Sequence, residues 1–286
     1  MSNDPFSPPV TFMVMIYNQA RFVAETVRTV FDQHYDGPLD ILLSDDASTD
    51  GTTDILRELV AGYDGPHSVR LNVNRTNLGL MAHFNKVFAL ARHDLIVCGA
   101  GDDCYRSDRV ATLARLQDET GAWLLYSRTT FMDAAGEALP DQHVETTFAR
   151  PWTLPDVARS NALFIGAGSA YHKQILRSFG PIVEAHAFED LVLGFRAALL
   201  GRIAYCDEPL VQYRVGEGLS RAGRTSFQER TKALTIWIDV LRQRMIDAKG
   251  FGLSFNDPVM IALREALSQA ADAMVDHLAL HPGETV

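Results

Sequence analysis

The chain has 286 residues, of which 47% are hydrophobic and 22% are charged, and its formal net charge is −10. This composition excludes global disorder and allows one large domain, or one domain with an appendage, to bury a sizeable core. A chain this acidic lacks the basic surface that long nucleic acids require, so nucleic-acid binding is not expected.

Cysteine content and apolar runs indicate the compartment. The three cysteines, Cys98, Cys104 and Cys206, fit neither a disulfide framework nor a zinc site, and a reducing compartment is the simplest interpretation. Residues 1–9 lack the pattern of a signal peptide, and no apolar run approaches the roughly 18 residues that span a bilayer. We therefore expect a cytoplasmic protein, either soluble or peripheral at the cytoplasmic face of the membrane.

Apolar runs and helical patterns alternate through the first 110 residues. The pattern predicts strands at residues 10–17, 39–43, 69–73 and 95–98, and helices at residues 20–31, 52–60 and 81–91. This alternation is typical of an α/β protein whose mostly parallel sheet is flanked by helices. Ligands of such sheets bind beyond the carboxyl ends of the strands.

The alternation weakens after residue 122. The later pattern predicts a helix at residues 191–200, a pair of strands at 203–205 and 210–213, and two amphipathic helices within 227–280 that are separated near 250–258. We expect a domain over residues 1–224, with halves at 10–110 and 111–224, and a C-terminal helical extension over 225–286. The apolar stripes of the extension are expected to pack on the domain. A homodimer contact or docking on a membrane surface is the alternative.

The first acidic pair, Asp45 and Asp46, follows a predicted strand. One of the next polar residues, Ser48, Thr49 or Asp50, is expected to cap the following helix. Capping does not require two carboxylates before it, so a ligand contact for one of the pair stays open.

The second acidic pair, Asp102 and Asp103, follows the small residues 99–101. Small residues let a backbone approach a ligand closely, and adjacent carboxylates suit a hard divalent cation. A solvated acidic turn before a helix near Ser107 is the alternative.

A third acidic pair, Glu189 and Asp190, opens an apolar helical segment. It either complements the helix dipole or supplies a general base. The nine histidines, among them His83, show no ligand spacing, and the chain lacks a phosphate-binding loop, a dinucleotide fingerprint and a serine nucleophile elbow.

Taken together, these segments resemble an inverting family 2 glycosyltransferase with the GT-A fold, over about residues 10–220. The segments that carry the resemblance, in order, are residues 14–18, 43–52, 75–79 with Asn85, 101–105 with Asp108 and Arg109, 188–190, and 213–214. The chain departs from the family at two places. Ala47 stands where the family usually has glycine, and many relatives have a histidine soon after the Tyr-Arg pair. Whether Glu217 replaces that histidine stays open.

The resemblance implies roles on the donor side. Tyr17 would line the base pocket, Asp45 would hydrogen-bond the nucleobase, and Arg75 would lie beside it. Asp103, together with the nucleotide-binding residue Asp102, would hold Mg²⁺ or Mn²⁺ on the diphosphate.

The resemblance also implies a reaction. Asp190, or alternatively Glu189, would be the catalytic base in metal-dependent, inverting transfer of a sugar from a nucleotide diphosphate, with UDP-sugars favoured. The acceptor would be a glycan or lipid-linked hydroxyl in surface polysaccharide or glycan synthesis. Two alternatives remain: a sugar nucleotidyltransferase, which usually opens with a basic Gly-rich phosphate loop, and a non-catalytic nucleotide-sugar binding module.

Overall fold

One nine-stranded sheet runs through the part of the chain that the computed structural model describes, which is residues 7–140, 146–216 and 226–281. In chain order its strands are β1 (Val10–Ile16), β2 (Leu39–Asp45), β3 (Ser68–Val73), β4 (Leu95–Ala100), β5 (Cys104–Tyr105), β6 (Leu124–Met132), β7 (Ala138–Leu139), β8 (Ser169–His172) and β9 (Ile203–Arg214). Across the sheet the order is β3-β2-β1-β4-β8-β6-β9-β5, and β7 pairs with β6.

The sheet has a parallel half and a mixed half. Strands β1 to β4 are parallel to one another, as the alternation of strands and helices predicts. Strand β8 runs antiparallel between β4 and β6, whereas β6 and β9 are parallel. Strand β9 reaches back to pair with β5, which directly follows the acidic pair Asp102-Asp103.

Helices cover both faces of the sheet. In chain order they are α1 (Val23–Phe31), α2 (Thr52–Ala61), α3 (Leu80–Leu90), α4 (Arg109–Thr120), α5 (Leu154–Ala158), α6 (Gln174–Phe179), α7 (Glu189–Leu200), α8 (Phe227–Gly250) and α9 (Pro258–Ala279). Helices α1, α2 and α4 share a buried cluster on one face, and the other helices share a second cluster on the opposite face. Burial on both faces explains why the early strands read as continuous apolar runs.

The predicted strand pair at residues 203–205 and 210–213 is one strand in the structure. Strand β9 follows β6 along its whole length, and its register shifts opposite Arg128, next to Pro209. Proline has no N–H to donate to a ladder, and a bulge accommodates it without ending the strand. The local break in the apolar pattern therefore marks an irregularity rather than a turn.

The C-terminal helices pack against α5 and α7 and bury residues of both in the same cluster. The sequence pattern predicts an apolar stripe on α9 that includes Ala271 and Leu278. In the structure this stripe is partly displaced, because these two residues are exposed while Ala266 and Ala270 are buried. None of the helices in the described ranges combines the length and apolar character that crossing a membrane requires. The expected boundary at residue 224 and the residue Glu217 both lie outside the described residues.

Candidate active site

The carboxyl ends of β1, β2 and β4 meet at one edge of the sheet. Ile16 pairs with Asp45 across the ladder, Met15 pairs with Ala100, and the Gly101 N–H donates to the Met15 carbonyl at 3.1 Å. Tyr17, which follows β1, is 46% exposed at this edge. The topology therefore gathers the residues predicted for the donor side along neighbouring strand ends.

Hydrogen bonds join the loops that follow β1 and β2. The Asn18 N–H donates to the Ser48 hydroxyl at 2.8 Å, and the Asn18 Oδ1 accepts from the Thr49 N–H at 2.8 Å. Asp50 accepts from the Ala20 N–H at 3.0 Å. These bonds hold the two loops against each other beside Tyr17.

Asp45 lies at the end of β2 with no exposed surface. Its carboxylate accepts from the Thr53 hydroxyl at 2.6 Å, the Ser48 N–H at 3.2 Å and the Ser48 hydroxyl. Because this carboxylate has no exposed surface, a ligand could reach it only if a neighbouring group moved.

The side-chain cap expected at Ser48, Thr49 or Asp50 is wrong. Helix α2 has Gly51 at its N-cap, with φ of 95° and no side-chain cap. Asp50 instead accepts from the Thr52 N–H at 3.1 Å and from its hydroxyl at 2.5 Å, one residue outside the usual capping position. Ser48 and Thr49 are committed to bonds between the two loops, so neither is available as a cap.

Sequence reasoning gave Asp46 no separate role, and the structure gives it one. The buried carboxylate accepts from the Asn74 amide at 2.7 Å and from the N–H groups of Leu78 and Gly79 at 2.9 and 3.1 Å. It thereby holds the loop that carries Arg75, whose side chain is exposed. The sequence offered one sign of this role: helix capping did not explain why a second carboxylate follows Asp45.

His83 supports Asp46 from α3. Its ring nitrogens lie 2.8 Å from the Ser44 hydroxyl and 4.0 Å from the Asp46 carboxylate. Burial lowers the pKa of His83, against the pull of Asp46 and Asp45. The ring therefore stays neutral and joins α3 to β2 through its hydrogen bond with Ser44.

Asp103 is 1% exposed and is only half satisfied. Its Oδ1 accepts from the Arg214 N–H at 3.0 Å, but its buried Oδ2 has no hydrogen-bond partner. Burial, together with the neighbouring Asp102, raises the pKa of Asp103 to about 8. A buried carboxylate oxygen that lacks a donor favours either a proton or a cation.

The glycines before this pair serve internal packing. A Cβ at Gly99 would lie 2.7 Å from the Tyr105 hydroxyl, and one at Gly101 would overlap the Gln19 Oε1. The Tyr105 hydroxyl in turn bonds the N–H and the carbonyl of Ala100, at 2.7 and 2.8 Å. These glycines therefore allow the close approach of neighbouring side chains, and the close approach of a ligand stays a prediction.

Arg214 clamps the acidic pair from the end of β9. Its Nε donates to the Asp102 carbonyl at 2.9 Å, one Nη donates to the Asp133 carbonyl at 2.9 Å, and the other meets the Glu25 carboxylate at 2.7 Å. The guanidinium also lies over the Phe22 ring, 4.6 Å from its centroid. Three segments, at the start of α1, after β4 and after β6, thus depend on one buried cation.

Arg109 lies fully buried close to this region. Its Nη2 donates to the Ala167 and Ser169 carbonyls at 3.1 and 3.2 Å, while its Nε and Nη1 have no hydrogen-bond partner. The guanidinium lies over the Tyr105 ring, 4.8 Å from its centroid. Its positive charge lowers the pKa of Asp103 and partly offsets the effect of burial.

Glu189 and Asp190 form the first turn of α7. Burial and the adjacent Asp190 raise the pKa of Glu189 to about 8. Burial raises the pKa of Asp190 to about 6, while the Leu191 N–H, 2.7 Å from Oδ1, and the charge of Arg244 lower it. Both carboxyl groups therefore have pKa values raised toward neutrality, and the Leu191 N–H and Arg244 favour the charged form of Asp190.

Two of the three acidic pairs thus hold a carboxyl group whose pKa lies near neutrality. Within the described ranges, no three His, Cys, Asp or Glu side chains cluster closely enough to form a metal site. Mg²⁺ in proteins is commonly held by one or two carboxylates together with phosphate oxygens of the substrate, and the Asp102-Asp103 pair fits that donor set.

Comparison with known families and sequences gives a consistent result. A family model described as glycosyl transferase family 2 matches residues 11–180. The Mycobacterium tuberculosis protein Rv1520 is 34% identical over 203 residues, which cover 69% of this chain and 56% of that protein. The chain therefore spans little more than half the length of this relative.

Solved structures share the fold. TarS 1-349 of S. aureus, in complex with UDP-GlcNAc, superposes with a TM-score of 0.62 at 17% identity, covering 96% of this chain and 73% of that one. The mannosyltransferase PcManGT from Pyrobaculum calidifontis, in complex with GDP-Man and Mn²⁺, gives a TM-score of 0.59 at 19% identity, covering 100% and 79%. The predicted α/β class with a GT-A-like sheet and C-terminal helices is confirmed.

Proposed function

The chain belongs to glycosyl transferase family 2 and is a glycosyltransferase, and from this premise we propose that it transfers a sugar from a nucleotide diphosphate to an acceptor hydroxyl, with inversion and with a divalent cation. The proposal includes the catalytic domain over residues 1–224, with donor and acceptor halves at 10–110 and 111–224. It also includes a helical region over residues 225–286 and a cytoplasmic location. The proposed acceptor is a glycan or lipid-linked hydroxyl in surface polysaccharide synthesis.

The observation that carries the proposal is the unpartnered Oδ2 of Asp103 beside Asp102. A nucleotide diphosphate is a polyanion, and each like-charge pair at about 4 Å costs roughly 4 kcal/mol at an effective dielectric of about 20. Asp103 and Asp102 would hold Mg²⁺ or Mn²⁺, which supplies Lewis-acid stabilisation of the departing diphosphate. A cation held by the two carboxylates and by phosphate oxygens would satisfy the oxygen that the protein leaves without a donor.

Nucleotide binding is assigned to the edge formed by β1, β2 and β3. Tyr17 offers an exposed ring beside the base, Asp45 accepts from the base, and Arg75 adds a positive charge from the loop that Asp46 holds. UDP-sugars are favoured as donors. The complexes of TarS with UDP-GlcNAc and of PcManGT with GDP-Man support a nucleotide-sugar site on this fold and leave the base to be tested.

Asp190 is the proposed base. A general base works best when its pKa lies close to the working pH, and the pKa of Asp190 is raised to about 6. Glu189, with its pKa raised to about 8, retains its proton and is the weaker candidate. Asp190 would take the proton of the acceptor hydroxyl, and attack from the face opposite the diphosphate inverts the anomeric centre.

Binding measurements test the donor site. Calorimetry with UDP and GDP, each with Mn²⁺ and with EDTA, should show tight binding of one nucleotide only when Mn²⁺ is present. Asp103→Asn should abolish the Mn²⁺-dependent part. Asp108→Asn, whose carboxylate is half-exposed and paired with Arg106, is the matched control and should bind as the wild type does.

The outcomes separate the alternatives. Equal binding in EDTA contradicts the cation site, and preference for GDP contradicts the uridine assignment. A nucleotidyltransferase would release pyrophosphate from a nucleoside triphosphate and a sugar phosphate. A binding module would bind the nucleotide sugar and release no nucleotide diphosphate over long incubation with acceptor mixtures.

A further inference from the structure

A fully buried arginine of α8 lies against the helix turn that carries Glu189 and Asp190. Arg244 donates from Nε and Nη2 to the Leu191 carbonyl, at 3.1 and 2.8 Å. Its Nη1 donates to the carbonyls of Val157, Ala158 and Ser160, at 3.1, 3.0 and 2.7 Å. One guanidinium therefore joins the start of α7 to the end of α5 and to the segment that follows.

Both segments that Arg244 holds border the Asp190 carboxylate. Leu191 donates its N–H to Asp190 Oδ1 at 2.7 Å, so fixing Leu191 also fixes the direction of that bond. The segment after Ser160 continues to Gly166, where a Cβ would lie 2.8 Å from Asp190 Oδ2. Gly166 thus packs against Oδ2 of Asp190, whereas the Leu191 N–H bonds Oδ1.

The charges around Asp190 come from three elements. Glu189 is on the same helix, the Tyr171 phenol faces both carboxyl groups from β8, and Arg244 faces Asp190 from α8. Burial keeps the Tyr171 phenol neutral by raising its pKa well above the ordinary value. Arg244 is the group of this set that carries a positive charge.

A second arginine shows what a purely structural link looks like. Arg196 of α7 makes a fork to Asp247 of α8, at 2.7 and 2.9 Å, and donates to the Gly180 carbonyl at 2.8 Å. It is as buried as Arg244 and joins the same two helices. None of its hydrogen-bond partners is next to Asp190, which makes it a matched control.

We propose that Arg244 is a positioning residue for glycosyl transfer: it holds the backbone on both sides of Asp190 and supplies the cation opposite its carboxylate. This inference rests on the proposed function, in which Asp190 is the base. It makes the C-terminal helical region, which lies beyond the residues that the family model matches, a contributor to the active site. Lysine cannot replace this arginine, because its three N–H groups lie on one nitrogen and cannot span the four carbonyls that the guanidinium reaches.

The test compares Arg244→Lys, Arg244→Gln, Arg196→Lys and Asp190→Asn in the full chain. Turnover is followed as UDP released from UDP-GlcNAc, or GDP from GDP-mannose, with Mn²⁺ and with water as the acceptor. Arg244→Lys should lower kcat by about ten- to a hundredfold at unchanged KM, the scale expected for a displaced catalytic group. Arg244→Gln should also move the acidic limb of the pH profile upward by about one unit, because it removes the opposite charge.

Hydrogen exchange supplies a readout that does not depend on turnover. Arg244→Lys should speed exchange in peptides covering residues 157–168 and 188–193 and leave residues 45–53 unchanged. Arg196→Lys should loosen the α7–α8 contact without moving the pH limb. If Arg244→Lys does not fold, Arg244→Gln, which keeps two donors, takes its place.

The outcomes are distinguishable. If the wild type releases neither UDP nor GDP, the proposed function fails. If the wild type turns over and Asp190→Asn does not, while Arg244 variants keep the normal kcat, pH limb and exchange pattern, the positioning role is wrong and the proposed function stands. If Arg196→Lys shifts the pH limb as far as Arg244→Gln does, the effect is general loosening and the inference is also wrong.

Discussion

At the scale of single residues, burial and a second carboxylate act together on Asp103 and on Glu189. Each has its pKa raised to about 8, whereas Asp190 stays closer to its ordinary range because Arg244 and the Leu191 N–H favour its charged form. Pairs of titratable groups whose surroundings push their pKa values apart are typical of divided acid and base roles. This contrast supports the proposal that Asp190, rather than Glu189, is the base.

The assignment of the base predicts the behaviour of two variants. Asp190→Asn preserves the shape of the side chain and removes its basicity, so kcat should fall by about a hundredfold or more while donor affinity barely changes. Calorimetry with the nucleotide and steady-state turnover measure the two effects separately. Glu189→Gln is the control and should keep most of the turnover; near-normal turnover in both variants would contradict the assignment.

Ala47 predicts a stabilising substitution. Its φ is 60°, in the left-handed region, at a position where relatives of the family usually have glycine. A Cβ in that region costs about 1 kcal/mol, so Ala47→Gly should raise the free energy of unfolding by about 0.5–1 kcal/mol. Ala271→Gly, on the exposed face of α9, should lower it by about 1 kcal/mol, because glycine weakens a helix interior. Urea denaturation of both variants checks the opposite signs.

At the scale of elements, α8 contributes polar groups to a buried interface. Its buried face includes Gln243, Arg244 and Asp247, and Gln243 accepts from the Val183 N–H at 2.8 Å. An apolar stripe is therefore an incomplete description of how this helix packs. Arg244 donates to backbone carbonyls, and Asp247 accepts from Gln243 and from Arg196 of α7, so both buried charges have the partners under which burial of charge is tolerated.

This interface predicts the effect of truncation. A chain that ends at residue 216 leaves Arg196 without Asp247 and removes the cover from α5 and α7. Breaking a buried pair in this way costs about 3–5 kcal/mol before the apolar surface is counted, so the shortened chain should lose its cooperative melt. Circular dichroism and light scattering measure this, with a chain ending at residue 281 as the control. A soluble monomer with the wild-type melting temperature would rule out this packing.

The elements also show what the sequence could and could not predict. Strands β1, β2 and β4 were predictable because both of their faces are covered by helices, and the polar residues Asp45 and Asp102 at their ends follow from the parallel order. The bond between Arg214 and Asp103 joins residues 111 positions apart, and no local pattern signals it. The same holds for Arg244, whose partners are backbone carbonyls. Every residue type has such a carbonyl, so the sequence does not show which ones will accept.

At the scale of the whole molecule, the buried acids predict how stability depends on pH. Asp103 and Glu189 have folded pKa values of about 8 and unfolded values of about 4. Between these values the folded state holds protons that the unfolded state has released, so stability falls as pH rises. His83 acts in the opposite direction below about pH 6.5, because burial lowers its folded pKa.

The metal-free protein should therefore be more stable at pH 6 than at pH 8, by roughly 2 kcal/mol for each of the two acids. Calorimetric melting in EDTA at the two pH values measures the difference. Asp103→Asn should remove about half of it, since one of the two acids no longer titrates. Mn²⁺ with UDP should shrink it as well, by binding the ionised form, and a melting temperature independent of pH in EDTA would contradict the prediction.

The pairing of β9 with β5 bears on how the protein is made. The acidic pair leaves the ribosome early, but its clamp, Arg214, follows 111 residues later than Asp103. At an elongation rate of about 5–20 residues per second, that interval is about 5–20 s. During it the loop after β4 lacks both the strand that pairs with β5 and the cation of Arg214, so the proposed donor site takes its final shape only after β9 has been made.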